Sequence, residues 1–227
     1  AVFELGAQGA REAGGHGWLL VSAGPLGMRA RAVKRLFDIG LAGSALLLLS
    51  PLMLAIALAI LIEDGRPVLF FQRRVGRGNR FFDIAKFRSM AVLHADGEGN
   101  ISAARDDERI TRAGKFIRRT SLDELPQLFN VLRGDMSLVG PRPHAIGSQA
   151  GDKLFWEVDS RYWQRHSLRP GLSGLAQVRG LRGATDRESD LANRLQADLE
   201  YLEGWTIWRD IRIVFLTLRV LLHEKAY

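Results

Sequence analysis

The 227-residue chain has no cysteine, only three tyrosines and four methionines. Without cysteine there is no disulfide framework and no thiolate metal centre, and either a reducing or an oxidising compartment is compatible. Acid is in deficit. Asp and Glu number 25 against 32 Lys and Arg, a net charge of +7, and the pI is about 10.3. That balance points to anionic partners: nucleic acid, phosphorylated substrates or acidic lipid headgroups. Charge is missing altogether between Ile39 and Ile62. Because charged and apolar residues are segregated in this way, mean hydropathy is −0.04, high for so basic a chain. The first long apolar run begins near residue 36 with no small-residue cleavage site after it, so no secretory signal is expected. The length suits one domain with appendages. Residues 1–30, rich in Gly and Ala without a sustained period, read as a poorly ordered leader carrying no chemistry.

The uncharged run is long enough for a transmembrane helix, and a single spanning helix is one reading of it. Two features favour another. Ser50-Pro51 sits at its middle, where proline removes a backbone donor and clashes with the preceding turn. Each arm is then about a dozen residues, roughly 18 Å, too short for a hydrocarbon core of about 30 Å. The flanks also agree in sign: Arg29, Arg31, Lys34 and Arg35 precede the run, and Arg66, Arg73, Arg74, Arg77 and Arg80 follow it. Lys and Arg mark cytoplasmic loops, so both ends ask for the same side. A re-entrant helix–break–helix satisfies both facts, with the Ser50 hydroxyl as one partner for backbone groups freed at the break.

Next, Pro67–Gln72 and Arg80–Arg88 read as two short strands joined by the turn residues Gly76, Gly78 and Asn79. Alternation puts Phe82, Ile84, Lys86 and Arg88 on one face, either an anion site or a solvated strand end. Residues 94–109 read as a mobile loop able to cover a site.

Two adjacent acids, Asp123 and Glu124, follow Arg118 and Arg119 and precede Pro126. Ser121-Leu-Asp-Glu124 fits a capping box with Ser121 as N-cap. Alternatively, Pro126 takes the first helical position of a helix ending at Gly134. Either way the carboxylates lie at a helix N-terminus, where the dipole lowers a carboxylate pKa and attracts phosphate. Pro141 and Pro143 flank Arg142 and hold its backbone extended, a fixed fork suited to bidentate grip on phosphate. Beyond them, Phe155-Trp156 and Tyr162-Trp163 near Arg165, His166 and Arg169 suit a headgroup-level interface or a plain aromatic core. The last helical stretch, from Leu191 to Tyr201 and Trp205 to Glu224, is amphipathic. Arg209, Arg212 and Arg219 fall in one arc, and Ile211, Val214, Leu218 and Leu222 in another. Such a helix lies in a membrane interface or packs on the core.

From about Lys34 to Tyr227 the chain resembles the bacterial sugar transferase family, the monotopic polyprenyl-phosphate phosphoglycosyl transferases. The matching stretches are Lys34–Asp38, Ser50-Pro51, Gln72–Gly76, Lys86–Met90, Thr120–Gln127, Gly134–Pro143 and Arg169–Gly171. The C-terminal part (Gly174–Gly180, Trp205 and Ala226-Tyr227) looks most like the hexose-1-phosphate transferases that start exopolysaccharide assembly; no counterpart in them is named for residues 1–30. The resemblance implies a membrane-embedded re-entrant helix broken at Ser50-Pro51. It makes Asp123 a nucleophile with Glu124 its partner, both toward Mg²⁺, in a ping-pong reaction of a UDP-sugar with undecaprenyl phosphate. Arg74, Lys86, Arg142 and Asp198 carry function by the same pattern, and Mg²⁺, Arg118 and Arg142 supply cations to the diphosphate. Glucose or galactose is the expected sugar, and the cytoplasmic face of the bacterial inner membrane the expected place.

The expected fold is therefore α+β, mostly helical with a small β-hairpin: a re-entrant membrane helix over 31–66 and a cytoplasmic catalytic domain over 67–227 ending in an amphipathic helix. Candidate substrate-binding residues are Arg74, Lys86, Arg88, Arg118, Pro141, Arg142, Pro143 and Asp198. A membrane scaffold without turnover and a basic nucleic-acid binder are the rival readings. The second lacks a stacking platform or a recognisable motif, so no nucleic-acid partner is expected. A homodimer is left open.

Overall fold

The structure is a computed structural model describing residues 10–13, 16–19, 26–91, 109–181, 185 and 187–222. Most of the expected loop over 94–109, and most of residues 1–30, lie outside that set. Within the latter, strands β1 (Ala10–Ala13) and β2 (His16–Leu19) pair antiparallel.

Helix α1 runs from Met28 to Asp64, 37 residues with Pro51 inside. Pro51 has no N–H for the carbonyl four residues back, and the Ser50 hydroxyl donates to that same Leu47 oxygen at 2.9 Å. The helix therefore continues through the proline with its stranded acceptor satisfied, where a break between two helices was expected. Both ends are tied to one body. Near the start, Lys34 Nζ reaches Asp210 Oδ2 at 2.6 Å and Val139 O at 2.9 Å, while Arg35 donates to the carbonyls of Val131 and Leu132. At the far end Glu63 accepts from the backbone of Arg112 and Ala113, and Arg88 donates to the carbonyls of Asp64 and Gly65. Ala42, Ala45 and Leu46 pack on the main core and Met53, Ile56, Ala57 and Ile60 on a second cluster. The other faces carry Leu47, Leu48, Leu54 and Ile62 exposed.

The hairpin pairs β3 (Leu69–Val75) with β4 (Phe81–Phe87) in full antiparallel register. Helices α2 (Arg112–Arg119) and α3 (Gln127–Arg133) follow, separated by a 3₁₀ turn at Leu122–Glu124. Then β5 (Ser137–Val139) runs parallel to β8 (Gly171–Ser173). Between them lie β6 (Gln149–Ala150), β7 (Lys153–Leu154), α4 (Phe155–Val158) and a 3₁₀ run over Ser160–Ser167. The chain closes with α5 (Leu175–Val178), α6 (Glu188–Glu203) and α7 (Ile207–Leu222). The result is a mostly helical α+β body with small sheets. Its core gathers Val131, Met136, Val139, Tyr162, Leu191, Leu195, Tyr201 and Ile213.

One open alternative closes here and one expectation changes. The aromatic pairs take the core reading: Phe155 and Tyr162 are buried, and Trp156 stacks on Trp163 at 5.6 Å. On α7 the buried face is Asp210 and Ile213, with Leu218 exposed beside Trp208 and Phe215. The face is set by Asp210, whose charge is matched by Lys34, and hydrophobicity alone did not mark it.

Candidate active site

The acidic pair sits at the corner between α2 and α3. α2 closes with its carbonyls taken by Thr120 and its hydroxyl. Ser121 then adopts a left-handed conformation (φ 55°, ψ 20°) that turns the chain into the 3₁₀ element, and its side chain caps nothing there. The expected capping box does not form, because Glu124 is drawn elsewhere. The helix stops at Gly134 (φ 92°), as the second alternative had it, while Pro126 (φ −61°) is its N-cap, one residue before the first helical position. Leu122 and Leu125 pack toward Ile56, Ile60, Phe87 and Ile117. This fixes the turn and leaves the two acids to the polar side.

Cations converge on Glu124 from two elements. Strand pairing sets Phe70 opposite Lys86, Gln72 opposite Ile84 and Arg74 opposite Phe82, so Arg74 and Lys86 share one face of the hairpin. Lys86 Nζ lies 3.2 Å from Glu124 Oε1, and the Arg74 guanidinium donates to the Gln72 amide oxygen. From the other side Arg142 sends Nη2 to Glu124 Oε1 at 2.6 Å and Nη1 to Oε2 at 3.4 Å. Burial and the neighbouring Arg142 push Arg74 down to about 10, leaving it charged at neutrality.

Arg142 is held from behind. β5 and β8 approach so closely that a Cβ on Gly171 would stand 2.1 Å from Gly140 N, so only glycine lets the chain reach Pro141 in this register. Pro141 and Pro143 are buried on either side. Behind them Arg165, 1% exposed, donates Nη2 to the Arg142 carbonyl at 2.7 Å. Its Nε and Nη2 also bind Asp198 Oδ2 at 3.0 and 2.7 Å, and Nη1 lies 3.0 Å from His144 Nδ1. Guanidinium only donates, so His144 accepts at Nδ1 as a neutral ring. Burial, then Arg165 and Arg194, hold its pKa well below the ordinary value. Asp198 thus touches the site through Arg165. Burial raises its carboxyl pKa against the pull of Arg165.

Asp123 differs from all of these. It is partly exposed, and no described residue hydrogen-bonds its carboxylate. Lys86, Arg118 and Arg142 favour its charge, but burial outweighs them with help from Glu124, and the carboxyl is pushed up to about 6. The expected lowering by a helix dipole is overturned by desolvation. At neutral pH it is still mostly ionised. The remaining candidate, Arg88, stands apart from this group: it is buried and ion-paired with Asp64 at 3.1 Å, fastening the end of α1.

His144 escaped the sequence reading, and Arg165 entered it only as part of an aromatic rim or core. The signal for Arg165 was present in its aromatic surroundings, but that pattern reads equally as a rim. Among described residues no three acidic, His or Cys side chains gather as a metal cage. The donors on offer are Asp123 and Glu124, which suits a hard cation that takes one or two carboxylates and completes its shell with phosphate oxygens and water.

Fold and site together define a class: a helix apolar enough to enter a membrane, fastened to a small body whose paired acids are set among arginines and a lysine. The chain belongs to the bacterial sugar transferase family, whose model matches residues 29–224. It is 45% identical over 214 residues to the undecaprenyl-phosphate glucose phosphotransferase of Komagataeibacter xylinus, across 90% of this chain and 40% of that protein. Over 185 residues it is 49% identical to the exopolysaccharide production protein PSS of Rhizobium leguminosarum bv. phaseoli, across 82% and 92%. A third relative is the UDP-N-acetylgalactosamine-undecaprenyl-phosphate N-acetylgalactosaminephosphotransferase of Aeromonas hydrophila, 45% identical over 190 residues, across 84% and 44%. The chain therefore spans less than half of the first and third, and nearly all of the second.

Proposed function

We propose that the chain transfers a sugar 1-phosphate from a UDP-sugar to undecaprenyl phosphate through a covalent Asp123 intermediate. The observation that carries this is Asp123 itself, an ionisable carboxylate with no hydrogen-bond partner among the described residues, set among Lys86, Arg118 and Arg142. A carboxylate so placed is free to attack and is not consumed in holding the fold. Its oxygen attacks the β-phosphorus, the bond from that phosphorus to the bridging oxygen breaks, and UMP leaves with the electron pair. An oxygen of undecaprenyl phosphate then attacks the same phosphorus. The Asp123–phosphorus bond breaks, the carboxylate is restored, and a polyprenyl diphosphate sugar is formed. Glu124 keeps Lys86 and Arg142 aimed at the phosphates, and Arg74 and Arg118 add positive field where charge develops. Asp123 and Glu124 would hold Mg²⁺, which when bound neutralises the diphosphate.

The membrane reading rests on α1. A polar body bonded to the helix both at Lys34–Arg35 and at Glu63–Asp64 keeps those two ends on one side of a bilayer, which supports a re-entrant helix over a spanning one. Exposed Trp208 and Phe215 on α7 suit the interface beside it. The proposed place is the cytoplasmic face of the inner membrane and the proposed role the first membrane step of a polysaccharide, with glucose or galactose as the sugar. Detergent-purified protein given Mg²⁺, undecaprenyl phosphate and a panel of UDP-sugars should release UMP with at least one donor. Donor without lipid should leave a sugar-phosphate adduct on Asp123, and a panel with no UMP release overturns the assignment.

A further inference from the structure

Helix α2 turns Arg118 to the site and carries two further rows that the site does not use. Gly114 and Ile117 are buried, and a Cβ on Gly114 would stand 2.0 Å from Ser89 O, so the helix is pressed against the backbone at that point. Arg112, Lys115, Phe116 and Arg119 recur at the i, i+3, i+4, i+7 spacing of a single stripe. All four are exposed, Phe116 at 53%, and they line one shallow open concavity. No carboxylate among the described residues pairs with the three cations. Glu63, the acid beside them, spends both oxygens on the backbone N–H groups of Arg112 and Ala113, each at 2.8 Å.

Those two bonds also fix where the stripe lies. They join the start of α2 to the end of the apolar helix α1, next to Ile62, itself 85% exposed. An exposed ring among three cations, starting where a greasy helix ends, matches a surface at headgroup depth: the ring enters the acyl boundary and the cations meet phosphates. A site for a free phosphate alone has no use for the exposed ring. We infer that the Arg112–Lys115–Phe116–Arg119 stripe docks on the phosphates of anionic phospholipids in the bilayer that holds α1. The inference rests on the reading of α1 as a membrane helix and adds a lipid preference to it.

The absence of cysteine makes the test direct. A Phe116→Cys variant of the full chain, labelled with a polarity-sensitive fluorophore, is placed in nanodiscs of phosphatidylcholine alone or with phosphatidylglycerol. A Leu48→Cys variant, labelled on an exposed turn of α1, reports whether that helix is embedded. The expected result is an apolar signal from position 48 in both lipids. Position 116 should shift to the blue only with phosphatidylglycerol, and lose the shift in high salt or on adding Arg112→Gln, Lys115→Gln and Arg119→Gln. Circular dichroism checks the triple variant's fold; if it unfolds, Lys115→Gln alone should take part of the shift. A watery signal at 116 in both lipids, with 48 apolar, overturns the lipid contact and leaves the membrane helix standing. Water at both positions overturns both. A blue shift reproduced in phosphatidylcholine by inorganic phosphate or a UDP-sugar assigns the stripe to free phosphate and overturns the lipid assignment.

Discussion

Two aspartates in this chain meet lysine and arginine in opposite ways. Asp210 is fully buried and every oxygen is engaged: Lys34 Nζ at 2.6 Å, the Tyr201 hydroxyl at 2.7 Å and Trp205 Nε1 at 3.1 Å. Burial and Asp210 drive the Tyr201 phenol well above its ordinary pKa, so it remains a donor. Asp123 has cations in its field but no bond to any described donor. A carboxylate saturated by fixed donors joins α1, α6 and α7 into one body and has nothing left to react with. One held near charge without such bonds keeps its lone pairs available, as the proposed attack on phosphorus requires. Similar residue types thus build a fastening in one place and the proposed nucleophile in the other, and coordination separates the two.

The largest expected effect breaks the second half of that contrast. Asp123→Asn should lower UMP release by at least about 10³-fold, because it removes the proposed nucleophile, without lowering the melting temperature. A variant that keeps turnover removes Asp123 as nucleophile. Asp210→Ala should do the reverse. It strands the buried Lys34 charge and should cost about 3–5 kcal/mol of stability, read as a falling melting temperature, with activity lost only as the protein unfolds. Combining Lys34→Met with Asp210→Leu should recover most of that loss. An unchanged melting temperature in Asp210→Ala would show the pair to be idle.

Smaller, and sharper for the site, is Arg165→Lys. The charge beside Asp198 remains, but the fork that also holds the Arg142 carbonyl is lost, so kcat should drop by about 10–30-fold with Asp198 still paired. A purely structural role predicts lower stability and an unchanged kcat in the folded fraction.

Much of this was legible in the chain. The hairpin, the Gly134 stop, the acidic pair and the proline-flanked Arg142 follow from local chemistry: turn residues, a left-handed terminus and a fixed φ. The Ser50 hydroxyl at the proline gap was equally local. What was not legible depends on contacts across the fold. Lys34 and Arg35 look like membrane-flanking cations, yet both bind groups about a hundred residues away. Arg88 alternates in step with Lys86, but β4 ends at Phe87, and Arg88 turns to Asp64. The face of α7 could not be read because its buried centre is a charged residue. The pKa of Asp123 ran against expectation because a helix dipole can be seen in sequence and desolvation cannot.

The mildest prediction uses that raised pKa. With Asp123 at about 6, the ionised fraction falls about tenfold between pH 7 and pH 5, so the acid limb of kcat/KM should bend near 6 and fall by about that factor. Stability moves the other way. Between about 4 and 6 the folded protein holds a proton on Asp123 that the unfolded chain has released. This residue's contribution is therefore fully present below about 4 and lost as pH rises through 6. Asp123→Asn removes that slope, so the stability difference between wild type and variant should change across this interval and level off above it. Were the difference flat from pH 4 to 6, Asp123 would titrate as an ordinary exposed acid, and its separation from the bonded Asp210 would rest on geometry alone.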